Sequence, residues 1–121
     1  MYALNSYRLL PDSRKNALID RHILGNRKPT GRDYINHIGF ICPLITNILF
    51  AVDVDAPHHH QRKLERRMRY EDFLSQPARG ETDAMGRTYT RLELITYKYP
   101  DRLARLFAEA LLHAYGVVDD I

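Results

Sequence analysis

Residues 100–116 read Pro-Asp-Arg-Leu-Ala-Arg-Leu-Phe-Ala-Glu-Ala-Leu-Leu-His-Ala-Tyr-Gly, the most regular stretch of the chain. Its apolar residues recur three and four positions apart, which is the spacing of one face of an α-helix. Pro100 and Asp101 are typical of a helix start, and Gly116 is typical of a helix end. The stretch therefore predicts a helix that packs one side on a core. The predicted apolar face consists of Leu103, Leu106, Phe107, Ala110, Leu111 and Ala114.

Two more helices are predicted upstream of this one. Asp12 or Ser13 is a suitable cap for a helix that runs through Leu24. Pro57 falls in the first turn of another helix, which extends to about Leu74. Proline lacks a backbone N–H, but N–H groups in the first turn of a helix form no intrahelical hydrogen bond, so none is lost there.

Strands are predicted in the segments between the helices. Residues 2–10 suit an edge strand, and residues 47–54 suit a central strand because they are rich in β-branched and aromatic side chains. Residues 87–99 alternate enough for another strand, although a helix competes there, and residues 31–42 are ambiguous in the same way. Residues 75–85 are expected to form an exposed loop. The prediction is an α+β fold, with a small sheet of two or three strands packed with three helices. If both strands failed, the alternative would be a small all-α bundle.

Length and composition predict one compact domain over residues 1–121. The chain is 45% hydrophobic and 27% charged, as in ordinary globular proteins. A net charge of +3 and a pI near 9.1 fit contact with phosphates or acidic surfaces. Cys42 is the only cysteine, which excludes an intramolecular disulfide and favours a reducing, cytoplasmic location. The first residues lack the pattern of a secretory signal, and the apolar run over 38–52 is shorter than a membrane span, so no membrane partner is expected.

Asp53 and Asp55 form the first candidate site. On a strand, residues two positions apart project to the same face, so their carboxylates would converge at the strand end. Paired acids at such a place are suited to Mg²⁺ or Mn²⁺, and His58 is a candidate third ligand from the run of three histidines. The competing interpretation is a helix start, in which Asp55 caps the following helix and His58 lies in a solvated first turn. Under that interpretation no cofactor is expected.

An apolar strand that ends in Asp-x-Asp resembles the first catalytic motif of archaeo-eukaryotic-type primases and of some plasmid replicases. In those families a Gly-x-His motif and a third acid complete the site. Asp119 or Asp120 is a candidate for the third acid here, but no Gly-x-His occurs in this chain. The resemblance implies metal-dependent phosphoryl transfer and covers about ten residues around Asp53 and Asp55.

The helix over 57–74 carries the second candidate site, which is rich in arginine. Leu64 and Met68 are expected to form a thin apolar stripe on the opposite, core side of this helix. Arginine suits bidentate contacts with phosphate, so a nucleic acid or an acidic protein surface is the predicted partner. A solubilising face, with pairs such as Glu65–Arg69, is the competing interpretation. The candidate binding residues are Arg62, Lys63, Arg66, Arg67 and Arg69.

Tyrosines are interleaved with cations between residues 87 and 99. Tyr89, Tyr97 and Tyr99 lie near basic residues there, in a pattern that allows bases to stack on the rings. The same tyrosines are also ordinary sheet formers on a half-buried strand. The core role is favoured at these positions, and base stacking is the alternative.

Three functions are consistent with these features. The leading hypothesis is a small, basic, non-enzymatic accessory protein that contacts nucleic acid, or a protein that handles it, through the helix over 57–74. The second is a divalent-metal-dependent phosphoryl-transfer enzyme, resembling a nuclease or primase, centred on Asp53 and Asp55. The third is an inhibitor or adaptor of the kind that phages and plasmids encode, acting through shape alone. Whether the chain is an enzyme is left open, with a binder favoured.

Overall fold

The structure is a computed structural model that describes residues 1–50 and 57–120, and for residues 57–60 it describes the backbone alone. The described part of the chain contains six α-helices: α1 (Leu4–Arg8), α2 (Asp12–His22), α3 (Ile38–Ile45), α4 (Pro57–Ser75), α5 (Arg91–Lys98) and α6 (Leu103–Ala114). It also contains four short strands: β1 (Tyr2–Ala3), β2 (Pro77–Thr82), β3 (Thr88–Thr90) and β4 (Val118–Asp119). The predicted α+β class is confirmed.

Helix α6 lies at the centre of the fold. It contacts α2, α3, α4 and α5, and it is buried on nearly every side. Leu111 and Leu112 are both 0% exposed, and full burial of one such side chain stabilises a fold by about 2 kcal/mol. The predicted apolar face is therefore correct but incomplete. Alanines at 104, 108 and 110 let neighbouring helices approach closely.

The strands form two separate pairs rather than one sheet. β1 is parallel to β4, and this pairing joins segments near the two ends of the described chain. β2 is antiparallel to β3, with a register irregularity between Pro77 and Thr82. The turn between them is closed by Asp83, whose carboxylate accepts hydrogen bonds from the backbone N–H groups of Met85 and Arg87 at 2.9 Å each.

Residues 46–50 are helical, so the predicted central strand over 47–54 is wrong for the residues that the structure describes. Here α3 continues into a π-helical turn, Thr46–Phe50. Ile41, Ile45 and Leu49 are buried and lie four positions apart, which places all three on one helical face. Pro43 lies inside α3 and removes one helical donor. The part of that prediction over 51–54 falls outside the described residues.

Three other segments also depart from prediction. Residues 2–10 form a strand only at Tyr2–Ala3 and then turn into α1. The expected loop over 75–85 contains β2. Residues 87–99 are mostly helical, because Thr90 and Glu93 form a capping box that starts α5 directly after β3. The predicted helices over 12–24 and 57–74 are confirmed as α2 and α4.

Within the described residues, no helix combines the length and the apolar character that a membrane span requires.

Candidate anion-binding groove

The orientation of α4 decides what its arginines can do. Tyr70, Phe73 and Leu74 are buried against the core, so this side of the helix faces inward. Arg66 and Arg67 lie on the flanks of the same side and are half-buried. The five predicted cations therefore do not form one exposed face.

Arg67 is tied to the π-helical turn. Its Nε and Nη2 donate to the Leu49 carbonyl oxygen at 3.1 and 2.8 Å, and its guanidinium lies 4.7 Å from the centre of the Phe50 ring. Arg66 lies 4.1 Å from the centre of the Tyr115 ring. Both arginines therefore contribute to packing between α4 and its neighbours.

We expect Arg67→Gln to lower the free energy of unfolding by about 1–2 kcal/mol, because the buried Leu49 carbonyl oxygen would lose two charged donors. The matched control is Arg69→Gln on the exposed side of the same helix, which should change stability by less than about 0.5 kcal/mol. Urea titration of both variants measures the difference. Equal effects would show that Arg67 has no structural role.

The exposed side of α4 is mixed in character. Leu64 is 38% exposed and Met68 is 63% exposed, so the predicted core stripe at these two positions is wrong. Arg62 and Arg69 are exposed, and Lys63 is half-buried. Acidic residues share this side, so its charge is close to balanced. They are Glu65, Glu71 and Asp72. A binding role for the five cations stays a prediction.

The predicted metal site falls mostly outside the described residues. Asp53 and Asp55 lie outside the described residues, and the side chain of His58 is not described. Elsewhere in the described part of the chain, no group of three or more His, Cys, Asp or Glu side chains is arranged to hold a metal ion.

A groove with a volume of about 690 Å³ lies between α1, β2, α5 and α6. Its floor includes Leu106 of α6 and Tyr7 of α1, both buried. Burial raises the pKa of the Tyr7 phenol well above its ordinary value, and the nearby Glu109 carboxylate adds to this effect. The phenol therefore stays neutral and adds no negative charge to the groove.

The walls of the groove are strongly basic. Six cations line it against two carboxylates, Glu109 and Asp120, which gives a formal charge of +4. This exceeds the +3 of the whole chain, so the rest of the molecule is close to neutral. The cations are Arg8, Lys15, Arg79, Arg91, Arg102 and Arg105.

Three of the six cations are held by acids. Arg8 pairs with Glu109 at 2.7 Å, and Arg91 pairs with Asp120 at 2.5 Å. Arg105 forms a bidentate pair with Asp12, which does not line the groove, at 3.1 and 2.8 Å. The hydrogen bond from Arg105 lowers the pKa of Asp12. These pairs fix guanidinium groups at defined places on the wall.

The other three cations form no ion pair with a carboxylate of the described residues. They are Lys15, Arg79 and Arg102. Arg79 and Arg102 are exposed, and Arg102 lies 5.0 Å from the centre of the Tyr99 ring. Such groups keep most of their capacity to donate to an incoming anion.

This groove was not predicted from the sequence because its cations come from six places between residues 8 and 105. No local run marks them, whereas the arginines of α4 lie close together in the sequence.

We compared the chain with protein-family models, with curated proteins and with solved structures, and none of the three comparisons found a match.

Proposed function

We propose that this chain is a non-enzymatic binding protein for nucleic acid, and that it holds the phosphate backbone in the basic groove. The observation that supports this proposal is the concentration of a formal charge of +4 on the residues that line one concave site, while the rest of the molecule is close to neutral. Positive potential in a cleft raises the local concentration of anions and speeds their association.

The cation type supports phosphate as the group that is bound. Five of the six groove cations are arginines. The planar guanidinium matches the geometry of phosphate oxygens and is less strongly hydrated than an ammonium group. Arg79 and Arg102, which are exposed and have no carboxylate partner in the described part of the chain, are proposed as the direct contacts. The three acid-paired arginines form fixed parts of the groove wall.

The helix α4 takes a secondary place in this proposal. Arg62 and Arg69 are its exposed cations, and they share their side with acids. They lie outside the groove lining and would add only weak, long-range attraction. An acidic protein is the competing partner, since it too is attracted to a basic groove.

A titration followed by fluorescence anisotropy tests the proposal. A labelled oligonucleotide is expected to bind, with log K falling linearly as log salt rises between about 50 and 200 mM, because phosphate contacts release counterions. Absent binding, or binding that salt does not weaken, would contradict the proposal. A poly-glutamate chain of the same charge is the competitor, and its equal affinity would assign the groove to acidic proteins instead.

A further inference from the structure

We infer that the groove takes single-stranded rather than double-stranded nucleic acid, with a base stacked on Tyr97 beside the phosphate-binding wall. This inference rests on the proposed function and specifies the class of nucleic acid that the groove binds. It is carried by an aromatic pair with one exposed ring, which a chain of contacts connects to the groove.

Tyr97 is the exposed member of the aromatic pair. Its side chain is 71% exposed, although it lies on α5, whose other side packs on the fold. The ring centre of Tyr89, on β3, lies 6.3 Å away at an interplanar angle of 51°. Lys98 Nζ lies 5.5 Å from the centre of the Tyr89 ring. An exposed aromatic face beside a cation is the arrangement that stacks bases in proteins that bind single strands.

The aromatic pair adjoins the groove. Leu94 lines the groove, and Tyr97 follows it by three residues, so the two lie on neighbouring parts of the α5 surface. A second connection runs through Glu81, which accepts from Lys98 Nζ at 2.9 Å and from the Tyr99 hydroxyl at 3.3 Å. Arg102 of the groove wall lies over the Tyr99 ring. A strand whose phosphates contact Arg102 would thus place a base near Tyr97.

The shape of the site favours a single strand over a duplex. A cavity of about 690 Å³ is within the range of roughly 300–1,000 Å³ that is usual for small-ligand sites. A duplex presents a convex surface, and its bases are already stacked on one another. A single strand can enter a concave site and turn an unpaired base toward a ring.

The test uses three probes of about twelve nucleotides that carry the same label: a single strand, its duplex, and an abasic strand with the same phosphates. We expect the single strand to bind at least about tenfold more tightly than the abasic strand, since only the former has bases to stack. Tyr97→Leu should weaken single-strand binding by about tenfold and change abasic-strand binding by less than about twofold. Tyr97→Phe keeps the aromatic face and should bind as the unchanged protein does.

Each remaining outcome has a defined meaning. Equal affinity for the single and abasic strands, or an equally tight duplex, would overturn the inference and leave the proposed function standing. A Tyr97→Leu protein that binds the single strand normally would do the same. If none of the three probes bound, the proposed function itself would fail. Circular dichroism of the Tyr97 variants separates lost binding from lost folding, and the exposure of this side chain leads us to expect normal folding.

Discussion

Replacing Asp20 with alanine is expected to lower the free energy of unfolding by about 3 kcal/mol, because the substitution leaves the buried Tyr34 hydroxyl and two donor groups of Thr30 without their acceptor. Asp20 is 1% exposed. Its carboxylate accepts from the Tyr34 hydroxyl at 2.7 Å and from the Thr30 backbone N–H at 2.9 Å. The Thr30 hydroxyl adds a further bond at 3.0 Å. These bonds hold the segment between α2 and α3 against the core.

The effect of Asp20→Ala should depend on pH. Burial by itself would raise the pKa of this carboxyl, but the hydrogen bonds from Tyr34 and Thr30 outweigh burial and lower the pKa. A carboxyl with a lowered pKa in the folded state contributes its stability above the pKa of the unfolded state, about 3.9. That contribution is lost as the pH falls through the lower, folded-state value.

Urea unfolding at pH 7 and in acid below about pH 4 measures both effects. The unchanged protein and Asp20→Ala should differ by about 3 kcal/mol at pH 7, and the difference should become smaller as the pH falls from about 4 through the folded-state pKa of Asp20. Asp72→Ala, at an exposed position of α4, is the control and should change stability by less than about 0.5 kcal/mol. A loss below about 1 kcal/mol for Asp20→Ala at pH 7 would show that these hydrogen bonds contribute little.

The second large effect is expected in the groove. Arg79→Gln/Arg102→Gln should weaken oligonucleotide binding by about 3 kcal/mol, roughly a hundredfold, at about 1.5 kcal/mol for each charged hydrogen bond. The slope of log K against log salt should also become shallower by about 1.4 for a single strand, since two phosphate contacts are removed.

The matched control for this effect is Arg62→Gln/Arg69→Gln on α4. It removes the same charge from positions that are also exposed but lie outside the groove. We expect a loss of at most about threefold, from long-range attraction alone. Anisotropy titrations at several salt concentrations compare the two variants. Similar losses would show that net charge, rather than the groove, determines binding.

The elements with a clear period were predictable from the sequence. The apolar spacing of Leu103, Leu106 and Phe107 led directly to α6, and Pro57 marked the start of α4. Other helical signals were present in the sequence, but the amino-acid composition of the same segment favoured a strand. The four-residue spacing of Ile41, Ile45 and Leu49 is helical, although β-branched content favoured a strand.

The capping box of α5 was a second overlooked signal. Thr90 and Glu93 are three residues apart and precede an apolar run, which is the pattern of a helix start. The alternation of apolar and polar residues over 87–99 favoured a strand instead. A local hydrogen-bonding motif determines the structure here, and only the three residues of β3 form a strand.

The site was less predictable than the fold because it is built by tertiary structure. Arg8, Arg79 and Arg105 are far apart in sequence and meet only after α1, β2 and α6 pack together. Conversely, two of the closely spaced arginines of α4 are engaged in contacts within the fold. Arg66 lies over the Tyr115 ring, and Arg67 donates to the Leu49 carbonyl oxygen. The sequence shows where cations are concentrated, but the packing of each helix decides which of its cations are exposed to a binding partner.

An NMR titration with a single-stranded oligonucleotide tests the central claim most directly. If the groove binds the strand, amide shift changes will be concentrated in β2, in α5 and near Arg102, and residues 61–69 of α4 will change little. Changes concentrated in residues 61–69, with β2 and Arg102 unaffected, would contradict the groove as the binding site.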